Sequence, residues 1–396
     1  VLSNVNLKCV IMKRIFLKTR LIFVKIANKL RIRKKQFCEY KWWCFIMKQL
    51  IGITMGDAAG IGAEIVVKAL NHSALYDQAI PVVYGDRAAM EDALRFTGLS
   101  HLKLNVIEQC EQARGEYGTI DLIDFHLLEP GGWSYKKNQA ATGEASFQYI
   151  VRAIQDAMAG KFTAVVTGPI SKEAIHMAGH NYSGHTEIFA EYTGTKNYAM
   201  LLSSDRLKVI HVTTHVSMEE ACRRITKERV ASVIRLADTG MRLLGCASPR
   251  IAVAGFNAHC SENGLFGDQE ARAIEPAIAE AQALGLDVTG PVPPDTVFCK
   301  AIGGMFDIVV AMYHDQGHIP IKLMGFQLDK ATNTYASMSG INCTIGLPII
   351  RTSVDHGTAY GKAGEGRANE QSMVEAIEAA QIMARNLKQM NSKGEQ

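Results

Sequence analysis

Short apolar runs alternate with amphipathic helical segments from residue 47 onward, and this alternation limits the possible folds more than any other feature. Residues 49–55 and 163–167 have the length and composition of buried strands. Residues 142–158 carry apolar side chains at helical spacing on one face. Strands that alternate with helices predict an α/β fold with a mostly parallel sheet. Residues 47–396 are numerous for one such core, so we expect two intertwined lobes with an active-site cleft between them.

Other elements follow from the same patterns. Ser217 and Glu220 form a capping box that begins a helix, and Asp86 is expected to be the N-cap of the helix that follows it. The remaining predicted strands are residues 81–84, 208–214, 250–254 and 307–313, and the remaining predicted helices are residues 65–70, 217–244 and 371–387.

The net charge of +4 is an average over two unlike parts of the chain. Residues 1–46 contain twelve Lys and Arg residues and one acid, a net charge of +11. Residues 47–396 contain 31 basic and 38 acidic residues, a net charge of −7. The acidic body argues against a protein whose main partner is nucleic acid. Basic residues also interrupt every apolar run of the first segment, which therefore lacks the stretch of about 20 apolar residues that spans a membrane.

Three interpretations of the basic segment, residues 1–46, remain. It is a targeting or membrane-surface segment, an arm that binds nucleic acid, or a stretch outside the functional protein. The last is favoured because Met47 leads directly into a predicted strand. We therefore expect a chain that starts at Met47 to be folded and fully active, with neither nucleic acid nor membrane as its partner. Nine scattered cysteines without a CxxC pair are typical of reduced thiols in the cytoplasm.

A histidine follows each of four predicted strands, namely His215, His259, His314 and His356. Ligands of open α/β sheets bind beyond the carboxyl ends of the strands, so these histidines are candidates for one shared cleft. Imidazole is a common ligand of zinc and other transition metals, and three such ligands leave coordination positions open for a substrate. The alternative is that each is an ordinary core or surface residue, because their spacing matches no local zinc motif.

Two glycine-rich stretches are candidate ligand-binding loops. Residues 55–64 form a turn between a strand and a helix, and residues 355–369 precede the last helix. Glycine lets a ligand approach backbone N–H groups closely, and the Asn369 amide adds a polar group to the second stretch. For the first stretch a tight structural turn is the favoured interpretation. For the second, an irregular loop with Asn369 as a helix N-cap is an equal alternative.

A third group of polar residues suits a phosphate monoester. Lys322, Asn342 and Arg351 combine a point charge, an amide and a guanidinium fork in one stretch punctuated by Gly and Pro. Singly, each is more often a surface residue. Two predicted helix starts carry further polar side chains, Ser171 with Lys172 and His185 with Thr186, for which helix capping is the alternative role.

Seven motifs, taken together and in order, resemble the 4-hydroxythreonine-4-phosphate dehydrogenase family. They are ITMGDAAGIGAE, VTGPISK, SGHTE, VTTHVS, PPDTVF, YHDQGHIPIK and GLPIIRTSVDHGTA. The similarity covers about residues 47–390 and excludes the basic segment. The form HDQGHIPIK is similar to the branch that acts on 4-phospho-D-threonate or 4-phospho-D-erythronate rather than to the vitamin B6 branch.

The resemblance implies the two-lobed fold of isocitrate and isopropylmalate dehydrogenases, in a homodimer with active sites at the subunit interface. It implies a divalent metal (Zn, Mg, Mn or Co) bound by His215, His259 and His314 from both subunits. It implies substrate contacts by His185 and Thr186, phosphate contacts by Lys322, Asn342 and Arg351, and NAD contacts by Asp355, Gly357, Thr358, Ala359 and Asn369. Asp295 and Lys172 are candidate catalytic residues for proton transfer.

The implied reaction is an NAD- and metal-dependent oxidation of the C3 hydroxyl of 4-phospho-D-threonate or 4-phospho-D-erythronate. Decarboxylation then gives dihydroxyacetone phosphate and CO2. The first alternative is the amino analogue, 4-phosphohydroxy-L-threonine, in pyridoxine biosynthesis. Two other classes stay open: an acyltransferase on the same fold, and a nucleic-acid- or membrane-binding protein that acts through residues 1–46.

The chain departs from the pattern of the family at three places. Ala58 and Ala63 replace prolines that are usual in the glycine turn. Residues 360–362 (Tyr-Gly-Lys) stand where an aspartate and an apolar residue are common, so the cofactor contacts of that stretch are open. Residues 329–337 lengthen the loop between Lys322 and Asn342, and the phosphate site has to accommodate that loop.

Overall fold

A twelve-stranded sheet runs through the part of the chain that the computed structural model describes, residues 48–329 and 334–394. The basic segment, residues 1–46, lies outside these residues. The strands are β1 (Gln49–Thr54), β2 (Ala79–Gly85), β3 (Lys103–Ile107), β4 (Thr119–Asp124), β5 (Ala164–Thr167), β6 (Ala199–Ser203), β7 (Lys208–His211), β8 (Ile251–Ala254), β9 (Val288–Val292), β10 (Ile308–Ala311), β11 (Phe326–Asp329), β12 (Thr334–Met338), β13 (Ile341–Ile345) and β14 (Ile350–Val354).

Strand order confirms the predicted α/β class with a mostly parallel sheet. The order is β3-β4-β2-β1-β5-β14-β13-β6-β7-β10-β8-β9, and β11 with β12 forms a separate hairpin. In the described part of the chain, eight of the eleven neighbouring pairs in the large sheet are parallel. The antiparallel pairs are β14–β13, β13–β6 and β6–β7, which lie next to one another near the middle of the sheet.

These antiparallel pairs divide the sheet into two parallel blocks that run in opposite directions. The first block is β3, β4, β2, β1, β5 and β14, and the second block is β7, β10, β8 and β9. Strands β7, β8 and β10 therefore end at one edge of the sheet, whereas β14 ends at the opposite edge. Of the four strand-end histidines, His215, His259 and His314 therefore follow strands of the second block, and His356 follows a strand of the first.

The helices connect the parallel strands, as crossover connections require. They are α1 (Gly62–Ala69), α2 (Arg87–Phe96), α3 (Ala140–Met158), α4 (Lys172–Met177), α5 (His185–Tyr192), α6 (Met218–Arg224), α7 (Lys227–Leu243), α8 (Glu275–Ala283), α9 (Val297–Ile302), α10 (His314–Gly325) and α11 (Gln371–Gly394). Fully buried apolar side chains follow both blocks of the sheet, for example Ile53, Val166, Val253 and Val310. No helix among the described residues is long and apolar enough to cross a membrane.

Two local predictions differ from the structure. The helix expected over residues 217–244 is two helices, α6 and α7, because Thr226 caps a new helix by accepting a hydrogen bond from the Arg229 N–H. Asp86 precedes α2, but its carboxylate does not cap that helix. It accepts instead from the backbone N–H groups of Leu127 and Leu128, at 2.7 and 3.1 Å, and so fixes a distant loop.

Candidate active site

A cavity of about 610 Å³ lies beside the antiparallel strands that separate the two strand blocks. Strands β5, β13 and β14 form its floor, and α5 and α10 contribute to its walls. The side chains that line it and bear on its chemistry are Lys172, His185, Thr186, Glu187, His215, His318, Lys322, Asn342, Arg351, Asp355, His356 and Lys362, with Gly357 and Ala359. The structure therefore brings together all five predicted substrate residues, one predicted catalytic residue, one predicted metal ligand and three predicted cofactor residues.

Alternation along β14 separates Arg351 and Ser353, which line this cavity, from Thr352, which points to the other face and donates to the Ala376 carbonyl of α11 at 2.8 Å. At the end of the strand, Val354 and Asp355 both line the cavity. The antiparallel partner strand places Asn342 opposite Ser353 in the register. Successive strand residues point to opposite faces, so the sequence Ile-Arg-Thr-Ser-Val separates a polar surface from a packed one.

Arg351 is the most constrained cation of the cavity. Its side chain is 2% exposed, and its guanidinium donates to the hydroxyl oxygens of Thr344 at 3.2 Å and Thr167 at 2.9 Å. Its Nε–H is buried and has no partner among the described residues. Burial lowers the pKa of Arg351 to about 10, which leaves it charged at neutral pH. A buried guanidinium without a carboxylate partner is well suited to an anionic ligand.

Three further cavity residues carry buried polar atoms without a partner in the described part of the chain. They are the Nε2 atoms of His185 and His356 and the Oδ1 atom of Asn342. Burial, reinforced by the charge of Arg351, holds the pKa of His185 well below its usual value, so the ring is neutral. His185 and Thr186 begin helix α5, and neither side chain caps it. These polar atoms are therefore available to a ligand.

Lys322 and Asp355 bind each other across the cavity. The Lys322 ammonium lies 2.6 Å from a carboxylate oxygen of Asp355 and 2.6 Å from its backbone carbonyl. Burial raises the pKa of Asp355, and the charge of Lys322 opposes that shift. A residue predicted to bind the substrate phosphate is thus in contact with one predicted to bind the cofactor. A ligand phosphate at Lys322 would have to share that ammonium with Asp355.

Within a single chain, the three predicted metal ligands do not lie close together. The rings of His215 and His314 lie 5.5 Å apart, and His314 stacks on His318 at 3.6 Å. His259 is exposed and instead pairs with Glu262 at 3.1 Å. Accordingly, the described residues contain no group of three or more His, Cys, Asp or Glu side chains that could hold a metal ion. Two of the predicted ligands lie near each other and the third lies apart from them.

His259 lies on an unusual backbone segment. Residues 259–263 all have positive φ values between 45° and 64°, and none of them is glycine. Each such residue costs about 1–2 kcal/mol relative to right-handed geometry. Such strain persists only where other contacts require it, and it is concentrated at functional sites. The segment therefore presents His259 to solvent in a fixed, unfavourable conformation.

The first glycine-rich turn is filled by protein and leaves no room for a ligand. A Cβ on Gly60 would lie 2.8 Å from the Thr358 Cβ, and a Cβ on Gly56 would lie 2.4 Å from the Pro169 carbonyl oxygen. The Ile61 N–H donates to the Thr358 carbonyl at 3.0 Å. Asp57 accepts from the Ala59 N–H and the Tyr360 hydroxyl, at 2.9 and 2.6 Å. This turn therefore anchors the loop that was predicted to bind the cofactor.

The second glycine-rich stretch divides into two parts. Asp355, Gly357 and Ala359 line the cavity, whereas Thr358 packs on the glycine turn. Asn369 lies outside the cavity and accepts from the Gln371 N–H at 2.8 Å, at the start of α11. Residues 366–368 are held by Glu64 and Lys68, because the Lys68 ammonium donates to the carbonyls of Gly366 and Ala368, both at 2.7 Å.

The two predicted catalytic residues occupy different places. Lys172 lines the cavity, and after burial its charge is the second cause that lowers the pKa of His215. Asp295 is exposed, does not line the cavity, and follows strand β9. Sequence reasoning missed His318 and Lys362 as cavity residues. The four-residue spacing from His314 would have placed His318 on the same helix face, but no pattern in the sequence pointed to Lys362.

Comparison with known proteins agrees with the fold. Residues 77–380 match the family model described as pyridoxal phosphate biosynthetic protein PdxA. The chain therefore belongs to the PdxA family. It is 47% identical over 335 residues to the D-threonate 4-phosphate dehydrogenase of Salmonella typhimurium, across 84% of this chain and 98% of that protein. It is also 47% identical over 329 residues to the protein of the same name from Cupriavidus necator, across 83% of this chain and 95% of that one.

Solved structures show the same relationship. A 4-hydroxythreonine-4-phosphate dehydrogenase from Burkholderia phymatum is 45% identical, has a TM-score of 0.72, and is matched over 85% of this chain and 98% of its own. The corresponding Klebsiella pneumoniae protein is also 45% identical, with a TM-score of 0.73 over 85% of this chain and 99% of its own. The fold predicted from the motifs is thereby confirmed.

Proposed function

We propose that this chain is a dehydrogenase that oxidises D-threonate 4-phosphate, or the closely similar 4-phospho-D-erythronate, with NAD and a divalent metal. Loss of CO2 from the oxidised acid then gives dihydroxyacetone phosphate. Membership of the PdxA family and the names of the relatives at 47% identity support the dehydrogenase class and the substrate. Cytoplasmic localisation is part of the same proposal.

The observation that carries this proposal is the buried guanidinium of Arg351. It faces the cavity, has no carboxylate partner among the described residues and keeps one N–H free. The lining contains four cations, Lys172, Lys322, Lys362 and Arg351, against two carboxylates, Glu187 and Asp355. A phosphorylated carboxylic acid supplies anionic groups that match this excess of positive charge.

The residues present fit a metal only if two chains contribute. His215 and His314 would hold it on one side, and His259 of a second copy would complete the set, because its own chain leaves it exposed and apart. Homodimerisation is therefore part of the proposal. When bound, such a metal would polarise the substrate hydroxyl that loses its proton.

The loop of residues 355–359 suits the cofactor, because Gly357 has no atom within 4 Å of a built Cβ and lines the cavity. NAD would accept the hydride there, and the protein would orient it. Lys172, which has no ion-pair partner among the described residues and reaches the His215 end of the cavity, is the group we assign to proton transfer.

The test is an NAD-reduction assay on purified full-length protein. Three substrates are compared: 4-phospho-D-threonate, 4-phospho-D-erythronate and 4-phosphohydroxy-L-threonine. We expect the largest kcat/KM with one of the first two. Preference for the third would instead assign the chain to pyridoxine biosynthesis, the alternative that the family name favours. No NAD reduction with any of the three would overturn the proposed function.

The metal assignment has its own test. His215→Ala is expected to abolish turnover and to weaken binding of Zn²⁺ or Co²⁺ measured by calorimetry, because one of the predicted ligands is lost. His72→Ala, a change at a surface histidine beside Glu370, is the matched control and should leave both unchanged. Full activity and unchanged metal affinity in His215→Ala would refute the assignment.

A further inference from the structure

His356 lines the cavity and has one ring nitrogen without a hydrogen-bond partner among the described residues. Its Nδ1 atom lies 2.9 Å from the Gly357 carbonyl oxygen, which can only accept a hydrogen bond. The ring proton of the neutral imidazole is therefore on Nδ1, and Nε2 carries the lone pair. Nε2 is buried and has no partner among the described residues. A ligand group in contact with it has to be a hydrogen-bond donor.

Two lysines surround this acceptor with positive charge. Lys322 and Lys362 line the same cavity as His356. Burial lowers the pKa of His356, and the charges of Lys322 and Lys362 lower it further. Lys322 is already paired with Asp355 at 2.6 Å, whereas Lys362 has no hydrogen bond or ion pair from its ammonium among the described residues. Lys362 therefore acts as an uncompensated charge beside a neutral acceptor.

This environment accepts a hydroxyl and disfavours an ammonium group. A neutral hydroxyl donates to Nε2 without placing a second positive charge near Lys362. An ammonium group would also donate to Nε2, but it would be repelled by the charge of Lys362, which acts on the same ring. The cavity carboxylate that is not paired with a lysine, Glu187, acts electrostatically on His215 and Arg351 rather than on His356. It therefore offers little compensation at this position.

We propose that His356 and Lys362 form a specificity pair that selects a hydroxy acid phosphate over the corresponding amino acid phosphate. His356 accepts a hydrogen bond from a substrate hydroxyl, and Lys362 repels an ammonium group at the same carbon. This inference rests on the proposed function, because it concerns discrimination between 4-phospho-D-threonate and 4-phosphohydroxy-L-threonine in the same cavity.

The first experiment measures the ratio of kcat/KM for these two substrates in Lys362→Gln. The substitution removes the charge and keeps most of the length of the side chain. We expect the ratio to move about tenfold toward the amino acid, the scale of one charge–charge interaction in a partly solvated site. Lys103→Gln, at an exposed lysine of the edge strand β3, is the matched control and should leave the ratio unchanged. An unchanged ratio in Lys362→Gln would overturn the role of Lys362.

The second experiment tests whether His356 accepts a hydrogen bond from the substrate or has only a structural role. His356→Ala removes the acceptor and should lower kcat/KM for the hydroxy acid about 10–100-fold. His356→Gln places an amide oxygen at a similar reach and should recover most of that loss. If Ala and Gln variants with the same melting temperature have equal kcat/KM, the assigned hydrogen bond does not exist. If the unmodified enzyme reduces NAD with neither substrate, the proposed function fails instead, which is a distinguishable result.

Discussion

Two buried carboxylates beside the first strand block, those of Asp57 and Asp86, make more of their hydrogen bonds than buried side chains of the cavity do. Both oxygens of Asp57 and of Asp86 accept hydrogen bonds, including those from the hydroxyls of Tyr360 and Tyr149. Arg351 and His356 each keep a buried nitrogen without a partner among the described residues. An unmade buried hydrogen bond costs about 1–3 kcal/mol. Unsatisfied polar atoms at the cavity therefore indicate ligand binding, and fully bonded ones indicate structural roles.

Arg351→Met tests this comparison most strongly. We expect kcat/KM for 4-phospho-D-threonate to fall on the order of 10³-fold, about 4 kcal/mol, because charge-assisted phosphate contacts are lost. The free energy of unfolding should stay the same or rise, because a buried charge without a carboxylate partner is removed. Steady-state kinetics and urea unfolding measure the two effects.

The matched control for that change is Arg229→Met. Arg229 donates to the carbonyls of Val212 and Tyr198, both at 3.0 Å, and lies outside the cavity. This variant should lose stability while the folded enzyme keeps its kcat/KM. If Arg351→Met lost stability but kept its kcat/KM, as expected for Arg229→Met, the unpartnered guanidinium of Arg351 would not be a ligand-binding group.

Asp86→Ala tests the structural side of the comparison. The change removes acceptors for Leu127, Leu128 and Tyr149 and should lower the free energy of unfolding by about 3 kcal/mol. The KM values of the folded protein should not change. Asp77→Ala, at an exposed position, should shift neither quantity. A stable Asp86→Ala protein with an altered KM would contradict the structural role.

Gly60→Ala examines the contact between the glycine turn and the cavity loop. The added Cβ would lie less than 3 Å from Thr358, so the loop must shift. We expect this shift to lower the free energy of unfolding by about 1–3 kcal/mol. We expect the KM for NAD to rise, because residues 357–359 move with it. Gly361→Ala adds a Cβ in open space in the same loop and serves as the control. Equal KM values in the two variants would show that the turn does not set the position of the loop.

The Nε2 atom of His211 is also buried without a partner among the described residues, and it provides a further test of the comparison. Its Nε2 atom is covered by Gly317 of α10, where a Cβ would lie only 2.3 Å away. Burial lowers the pKa of His211 to about 3. The unfolded chain therefore binds a proton first, and stability falls as the pH drops below about 6.5 toward 3.

At pH 5.5 the expected loss from His211 is about 1 kcal/mol relative to neutral pH. His211→Asn keeps a donor for the Met200 carbonyl but removes the titrating group. Urea unfolding from pH 7 to pH 5 should show a shallower loss of stability in this variant. Parallel curves for the two proteins would contradict the assignment.

The sequence predicted the class of the fold and most of the cavity for clear physical reasons. Buried parallel strands such as β5 are continuous apolar runs, and the polar residues of Ile350–Val354 stand out against such a run. The direction of each block was not predictable, because antiparallel pairing of β13 and β6 depends on contacts between residues far apart in sequence. That pairing is the reason the strand before His356 runs opposite to the strand before His215, although both histidines line the cavity.

Local signals also failed where tertiary contacts competed with them. Asp86 has the residue type and position of an N-cap, but the loop at Leu127 and Leu128 takes its carboxylate. Asn369 stayed ambiguous between capping and ligand binding, and its hydrogen bond to Gln371 is a capping contact. The catalytic roles of Lys172 and Asp295 and the metal ligands remain predictions, since they depend on a ligand and on a second chain.

Helix α10 carries both a proposed metal ligand and a proposed phosphate ligand. His314 is its first residue, and Lys322 follows eight residues later, about 12 Å along the axis. The proposed metal end and the proposed phosphate end therefore cannot move apart independently, as they would if separate loops carried them. The helix therefore sets the distance that the carbon chain of the substrate has to span between the metal end and the phosphate end. A substrate longer by one carbon would have to bend in order to bind, because the helix keeps the metal end and the phosphate end at a constant separation.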